Sequence, residues 1–66
     1  MDYTVQWKAK GDTHWETDRR FESLEEAILF ATAEARYCHE IAHRVTGLKS
    51  NGLPKVLVKF KPLGGE

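Results

Sequence analysis

From Tyr3 to Lys10 apolar and polar residues alternate, with Tyr3, Val5, Trp7 and Ala9 on one side and Thr4, Gln6, Lys8 and Lys10 on the other. Successive side chains leave a pleated strand on opposite faces, so a period of two marks a half-buried strand. Gly11-Asp12-Thr13 supplies turn chemistry. A second run, Trp15 to Phe21, alternates more weakly, with Trp15 and Phe21 directed inward and Thr17 and Arg19 between them. So few residues separate the two runs that a hairpin is expected.

At Ser23 the period changes. Ser23-Leu24-Glu25-Glu26 has the pattern of a capping box, in which the Ser23 hydroxyl accepts from the Glu26 amide and the Glu26 carboxylate reaches back to the Ser23 amide. Acidic residues in a first turn also complement the helix dipole. Leu24, Ile28, Ala31, Ala35, Cys38, Ala42 and Val45 then recur at alternating steps of four and three. That spacing predicts one long amphipathic helix from Ser23 to Gly47, with Gly47 as its left-handed stop. The alanines would let it lie close to bulky sheet residues such as Trp7. Asn51-Gly52 is the strongest turn signal in the chain. Lys55 to Lys61 reads as a last strand, with Val56, Val58 and Phe60 facing one way and Lys55, Leu57, Lys59 and Lys61 the other. Pro62 to Glu66 is a tail.

The expected fold is therefore α+β in the order ββαβ: a three-stranded antiparallel sheet, strand order 2-1-3, with one long helix on one face and the other face open to water. The alternative is ββαββ. A helix ending near Ala42 would free Arg44 to Leu48 to pair with the last strand through Asn51-Gly52. The unbroken stripe through Val45 favours the longer helix.

Composition narrows the class without naming a function. The 66 residues make one domain, 1–66, with 41% hydrophobic residues and two Trp, two Tyr and three Phe to build a core. Ten basic and ten acidic residues cancel, so overall charge selects neither nucleic acid nor membrane. The single cysteine, Cys38, excludes an internal disulfide and points to a reducing, cytoplasmic setting. It falls within the core stripe, where a buried, inert thiol is expected. Met1-Asp2-Tyr3-Thr4 has no basic leader and no long apolar run follows, so neither a secretory signal nor a membrane span is expected. No glycine-rich phosphate loop and no Ser/His/Asp arrangement is present, and no cofactor is expected.

One motif carries catalytic chemistry. His39-Glu40-Ile41-Ala42-His43 has the H-E-x-x-H spacing, in which histidines four apart on one helix face bind zinc and the glutamate polarises a bound water. Over these five residues the chain resembles the zinc peptidases, and the resemblance implies His39 and His43 as metal ligands. A catalytic zinc needs a third protein ligand, however, and the only carboxylate after His43 is Glu66. His14, in or near the hairpin turn, could approach only if the fold brings it across, and Arg44 is a poor neighbour for a dication. The motif is read as coincidental and the chain as non-enzymatic.

Two surfaces remain. On the long helix a second apolar ridge, Phe30, Tyr37 and Ile41 with Leu48 beyond, would stand about a quarter-turn from the core stripe and offer a contact to another protein or a second copy. Charge is also uneven. Glu22 to Gly47 holds five acids and two bases, a net of −3, whereas Leu48 to Glu66 holds four lysines and one acid, a net of +3. Lys8, Lys10, Lys55, Lys59 and Lys61 would gather on the open sheet face, with Arg20 nearby, where a phosphate backbone could lie. Against this, Glu16 and Asp18 share that face, and it lacks an aromatic to stack on bases unless Trp15 or Tyr3 turns outward. In length and element order the chain is similar to small phage- and prophage-encoded proteins, some anti-CRISPR inhibitors among them. That likeness implies an inhibitor or accessory role. The leading expectation is a protein-binding module, with nucleic-acid binding and zinc binding as alternatives.

Overall fold

A computed structural model describes residues 2–38 and 40–61. The elements run β1 (Tyr3–Lys8), β2 (Glu16–Phe21), α1 (Leu24–Tyr37), β3 (Ala42–Leu48) and β4 (Pro54–Phe60). The sheet is antiparallel throughout, in the order β2-β1-β3-β4, and α1 packs across all four strands. The α+β class, the single helix and the antiparallel sheet follow the sequence pattern, but the sheet has four strands rather than three. The element order ββαββ is the one the shorter helix would give, with β3 beginning at Ala42 rather than Arg44. The last strand consequently lies outside β3 and does not touch β1.

The helix ends well short of Gly47. Cys38 closes it, its amide donating to the Glu34 carbonyl at 2.8 Å, and Ile41 donates to the Cys38 carbonyl at 3.0 Å as the chain turns into β3. The composition changes at this boundary. Residues 24–37 are rich in Leu, Glu and Ala, which lose little freedom in a helix, whereas Val45 and Thr46 are β-branched and Gly47 is a weak helix former. Two capping expectations also change. Ser23 Oγ accepts from the Glu26 amide at 3.3 Å, but the reciprocal bond from Glu26 does not form. Gly47 is not a left-handed stop, because positive φ occurs only at Gly11 (83°) and Gly52 (85°) among the described residues.

Those two glycines make the hairpins. Asp12 donates to the Ala9 carbonyl at 3.0 Å with Gly11 as the third residue of the turn, the place where a type II turn requires positive φ. Lys49 donates to the Leu53 carbonyl at 2.8 Å and Gly52 to the Lys49 carbonyl at 2.9 Å, closing a three-residue loop that ends in a left-handed glycine. The Asn51 Oδ1 accepts from the Leu53 amide at 3.1 Å and braces the loop from inside.

The core lies between α1 and one sheet face. Val5, Val45, Ala27 and Ala31 are fully buried, with Tyr3, Phe21, Leu24, Ile28, Phe30, Val58 and Phe60 packed around them. Ala27 and Ala31, one turn apart, bring the helix axis close to the central valines. The expected stripe therefore holds at Leu24, Ile28 and Ala31. Cys38 is instead exposed, and Ala42 and Val45 belong to β3.

Two β-bulges set which residues face the helix. In the β1–β2 ladder Val5 opposes Arg19 but Gln6 opposes Thr17, so Asp18 is an extra residue in β2. In the β3–β4 ladder Val45 opposes Val58 but Thr46 opposes Val56, so Leu57 is extra in β4. Each extra residue shifts the alternation by one position. Phe21 and Arg19 accordingly lie on the helix side, where Arg19 stands 5.6 Å from the Phe30 ring centroid, whereas Thr17 and Trp15 pass to the open side. On β4 Val58 and Phe60 face the helix but Val56 does not. The expectations that Trp15 faces inward and that Val56, Val58 and Phe60 share one face both fail at a bulge.

Candidate binding face of the sheet

The uncovered sheet face can be written as rows of cross-strand neighbours. Arg20, Thr4, Thr46 and Val56 form one row, and Thr17, Gln6, Arg44 and Lys59 the next. Lys8 and Ala42 begin a third, with Trp15 folded over it from the start of β2. Each strand thus contributes one cation to this face: Arg20 from β2, Lys8 from β1, Arg44 from β3 and Lys59 from β4. None of the three rows contains a carboxylate. Glu16 pairs with Trp7 on the helix side, Asp18 is the bulge residue outside the rows, Asp2 lines a concavity with Thr4 and Arg20, and Glu40 lines a groove with Lys8 and Ala42.

Trp15 and Arg44 form the centre of this face. The Arg44 guanidinium carbon sits 4.1 Å from the Trp15 ring centroid and the Lys8 ammonium 5.1 Å from it. Both distances lie within the range of cation–π attraction. Arg44 Nε donates to Gln6 Oε1 at 2.7 Å across the β1–β3 ladder, which fixes the plane of the guanidinium. Its partners among the described residues are an amide oxygen and an indole, neither of which neutralises it. Desolvation by burial lowers the Arg44 pKa from its ordinary value. The chain therefore holds a partly desolvated cation, oriented by Gln6, in the middle of an open surface.

Around it Thr4, Gln6, Thr17, Arg20 and Thr46 line a shallow concavity of about 610 Å³, with Leu48, Pro54 and Val56 at its apolar end. Hydroxyl, amide and guanidinium groups together offer donors to an anion. The apolar end continues around the β3–β4 hairpin, where Leu48 is 50%, Leu53 56%, Val56 36% and Leu57 38% exposed.

The other candidate residues are scattered by the shorter helix. Phe30 packs against Phe21, ring centroids 5.3 Å apart, and belongs to the core margin. Tyr37 ends α1 with 87% of its surface exposed, and it lines a small groove with Cys38, Glu40 and Ile41. Leu48 stands on the opposite sheet face. The four do not form one ridge; only Tyr37 and Ile41 adjoin. Among the lysines, Lys8 and Lys59 reach the open face and Lys61 follows just beyond β4. Lys10 is exposed where the β1–β2 turn begins. Lys55 opposes Gly47 and lines a different groove, beside Tyr3 and Leu24.

His39 lies outside the described residues. His43 does not stand on a helix at all, so the helical premise of the H-E-x-x-H spacing is gone. It occupies β3 between Trp7 and Phe60, facing the helix side, only 2% exposed, and its Nδ1 has no hydrogen-bond partner among the described residues. Among the described residues no three His, Cys, Asp or Glu side chains come together as a metal site would require. Likewise, among those residues no helix is long and apolar enough to cross a membrane.

The sequence pattern does not single out Arg44 or Gln6 as site residues, and it directs Trp15 inward, leaving it a stacking residue only if it turns outward. The alternation of Ala42, Arg44, Thr46 and Leu48 against His43, Val45 and Gly47 was the available signal for Arg44, and it was masked by the helical stripe. Nothing in the local sequence announces the Asp18 bulge that moves Trp15. No protein-family model, curated protein or solved structure matches this chain.

Proposed function

We propose that the protein is a small non-enzymatic module that binds nucleic acid by its phosphate backbone across the open face of the sheet. The observation that carries this reading is the set Arg20, Lys8, Arg44 and Lys59, one cation per strand, in rows free of carboxylates. Four strands at spacings of about 4.8 Å make a cationic surface roughly 14 Å across. The overall charge of zero does not oppose this. The acids of α1 lie on the far side of the sheet, and a local field of one sign is what steers a polyanion.

Fluorescence anisotropy of a labelled oligonucleotide tests the reading. Four phosphate contacts predict a slope of log K against log salt of about −3 to −4, hence a loss on the order of 50- to 150-fold between 50 and 200 mM. Replacing Arg20 and Lys59 together by Gln should reduce that slope by about half. Absence of binding at low salt, or binding indifferent to salt, refutes the proposal.

A protein partner is the second reading, favoured by the exposed Leu48, Leu53, Val56 and Leu57 at the hairpin end. An apolar patch of this kind suits a contact with another chain. It predicts association abolished by Leu53→Asp and insensitive to salt; a monomer at high concentration that also captures no protein partner removes it.

A further inference from the structure

We infer that the nucleic acid this face takes is single-stranded, and that the Trp15–Arg44 pair is a stacking platform for one of its bases. The inference rests on the nucleic-acid reading above and adds what that reading leaves open, namely which form of nucleic acid and which contact selects it.

Three observations carry it. First, the bulge at Asp18 takes Trp15 out of the alternation of Phe21 and Arg19 and lays it on the cationic face, where it is only partly buried. Second, the Arg44 guanidinium carbon lies over the ring at 4.1 Å, which places two stacking groups side by side on the cationic face, and Gln6 Oε1 accepts from Arg44 Nε at 2.7 Å. Bases unstacked from a single strand stack on aromatic rings and on guanidinium planes alike. Third, the surrounding cations Lys8, Arg20 and Lys59 stand on neighbouring strands around this platform, so a strand whose base lies on Trp15 can run its phosphates along them. A duplex keeps its bases stacked on one another and presents only phosphates and groove edges to so shallow a surface. It can use the cations but not the ring.

The platform gives a readout that simple charge attraction does not. In a Trp7→Phe background Trp15 is the only tryptophan, and its fluorescence reports what lies on it. Titration with a twelve-nucleotide oligothymidylate should quench that emission, whereas the corresponding duplex and heparin should bind without comparable quenching. Trp15→Leu should weaken oligothymidylate binding on the order of 5- to 150-fold, the range for losing one base–aromatic stack. Trp15→Phe should retain most of the affinity, and neither substitution should alter the salt slope. Circular dichroism of both variants confirms the fold, which is expected to survive because Trp15 precedes an edge strand. If oligothymidylate and duplex bind equally, and Trp15→Leu matches the parent, the stacking inference falls while backbone binding stands. If no polyanion binds at low salt, both fall together.

Discussion

Replacing His43 with Leu should stabilise the protein. The imidazole is 2% exposed, its cross-strand neighbours are Trp7 and Phe60, and Nδ1 is buried without a partner among the described residues. A buried polar atom left unsatisfied costs about 1–3 kcal/mol. Leucine has a similar volume and removes that atom, and imperfect repacking of a near-isosteric swap returns less than about 1.5 kcal/mol of the gain. The expected net is about 1 kcal/mol in favour of the variant, within a total of roughly 3–10 kcal/mol at this chain length. Urea unfolding followed by circular dichroism measures it. With an m-value near 1 kcal/mol/M, the midpoint should rise by about 1 M. His43→Ala, by contrast, leaves a cavity and should lose about 2 kcal/mol. A midpoint that falls in His43→Leu at unchanged m would mean that the imidazole holds a polar partner that matters. The packing argument would then be wrong.

Other consequences concern the helix ends and the close contact at Gly47. Ser23→Ala removes the oxygen that accepts from the Glu26 amide and should cost about 1 kcal/mol in the same unfolding measurement. A Cβ at Gly47 would stand 3.0 Å from Leu57 Cδ1 and 3.4 Å from the Tyr3 ring. Gly47→Val should therefore destabilise by about 1–3 kcal/mol, and Gly47→Ala by less, since the end of the Leu57 side chain can move. Cys38 is exposed at the end of α1, so a thiol reagent should label the folded protein to one equivalent without denaturant; labelling that appears only on unfolding would put the thiol back in the core.

How much of this was legible follows from where two periodicities compete. Alternation alone placed Tyr3, Val5 and Trp7 on the helix side of β1, and the Ser23 cap and the Asn51-Gly52 turn were readable from local chemistry. The end of α1 was not. Ala42 and Val45 continue the helical stripe, yet His43, Val45 and Gly47 also alternate with period two, and one run of residues satisfied both patterns. What settles it is tertiary. As a strand, residues 42–48 pair with β1 on one side and β4 on the other and bury Val45 and His43, which no continuation of a surface helix would do. The candidate site inherited the error. Once the helix shortens, Phe30, Tyr37, Ile41 and Leu48 part company and Arg44 moves to the centre of a sheet face.

The bulges explain why the binding face was harder to read than the core. A core position is fixed by its own hydrophobicity, so Val5, Val45 and Val58 can be recognised wherever the chain bends. A residue on an open face is placed only by counting alternation from its neighbours, and a single unpaired residue inverts the count for everything beyond it. Asp18 does this to Thr17, Glu16 and Trp15 together. It sends an acid to the helix side and an aromatic to the cationic side, the two changes that backbone binding and base stacking each need. The objections from Glu16 and from the missing aromatic rested on that one miscount, and with the bulge in place Trp15 becomes an argument for a nucleic-acid surface.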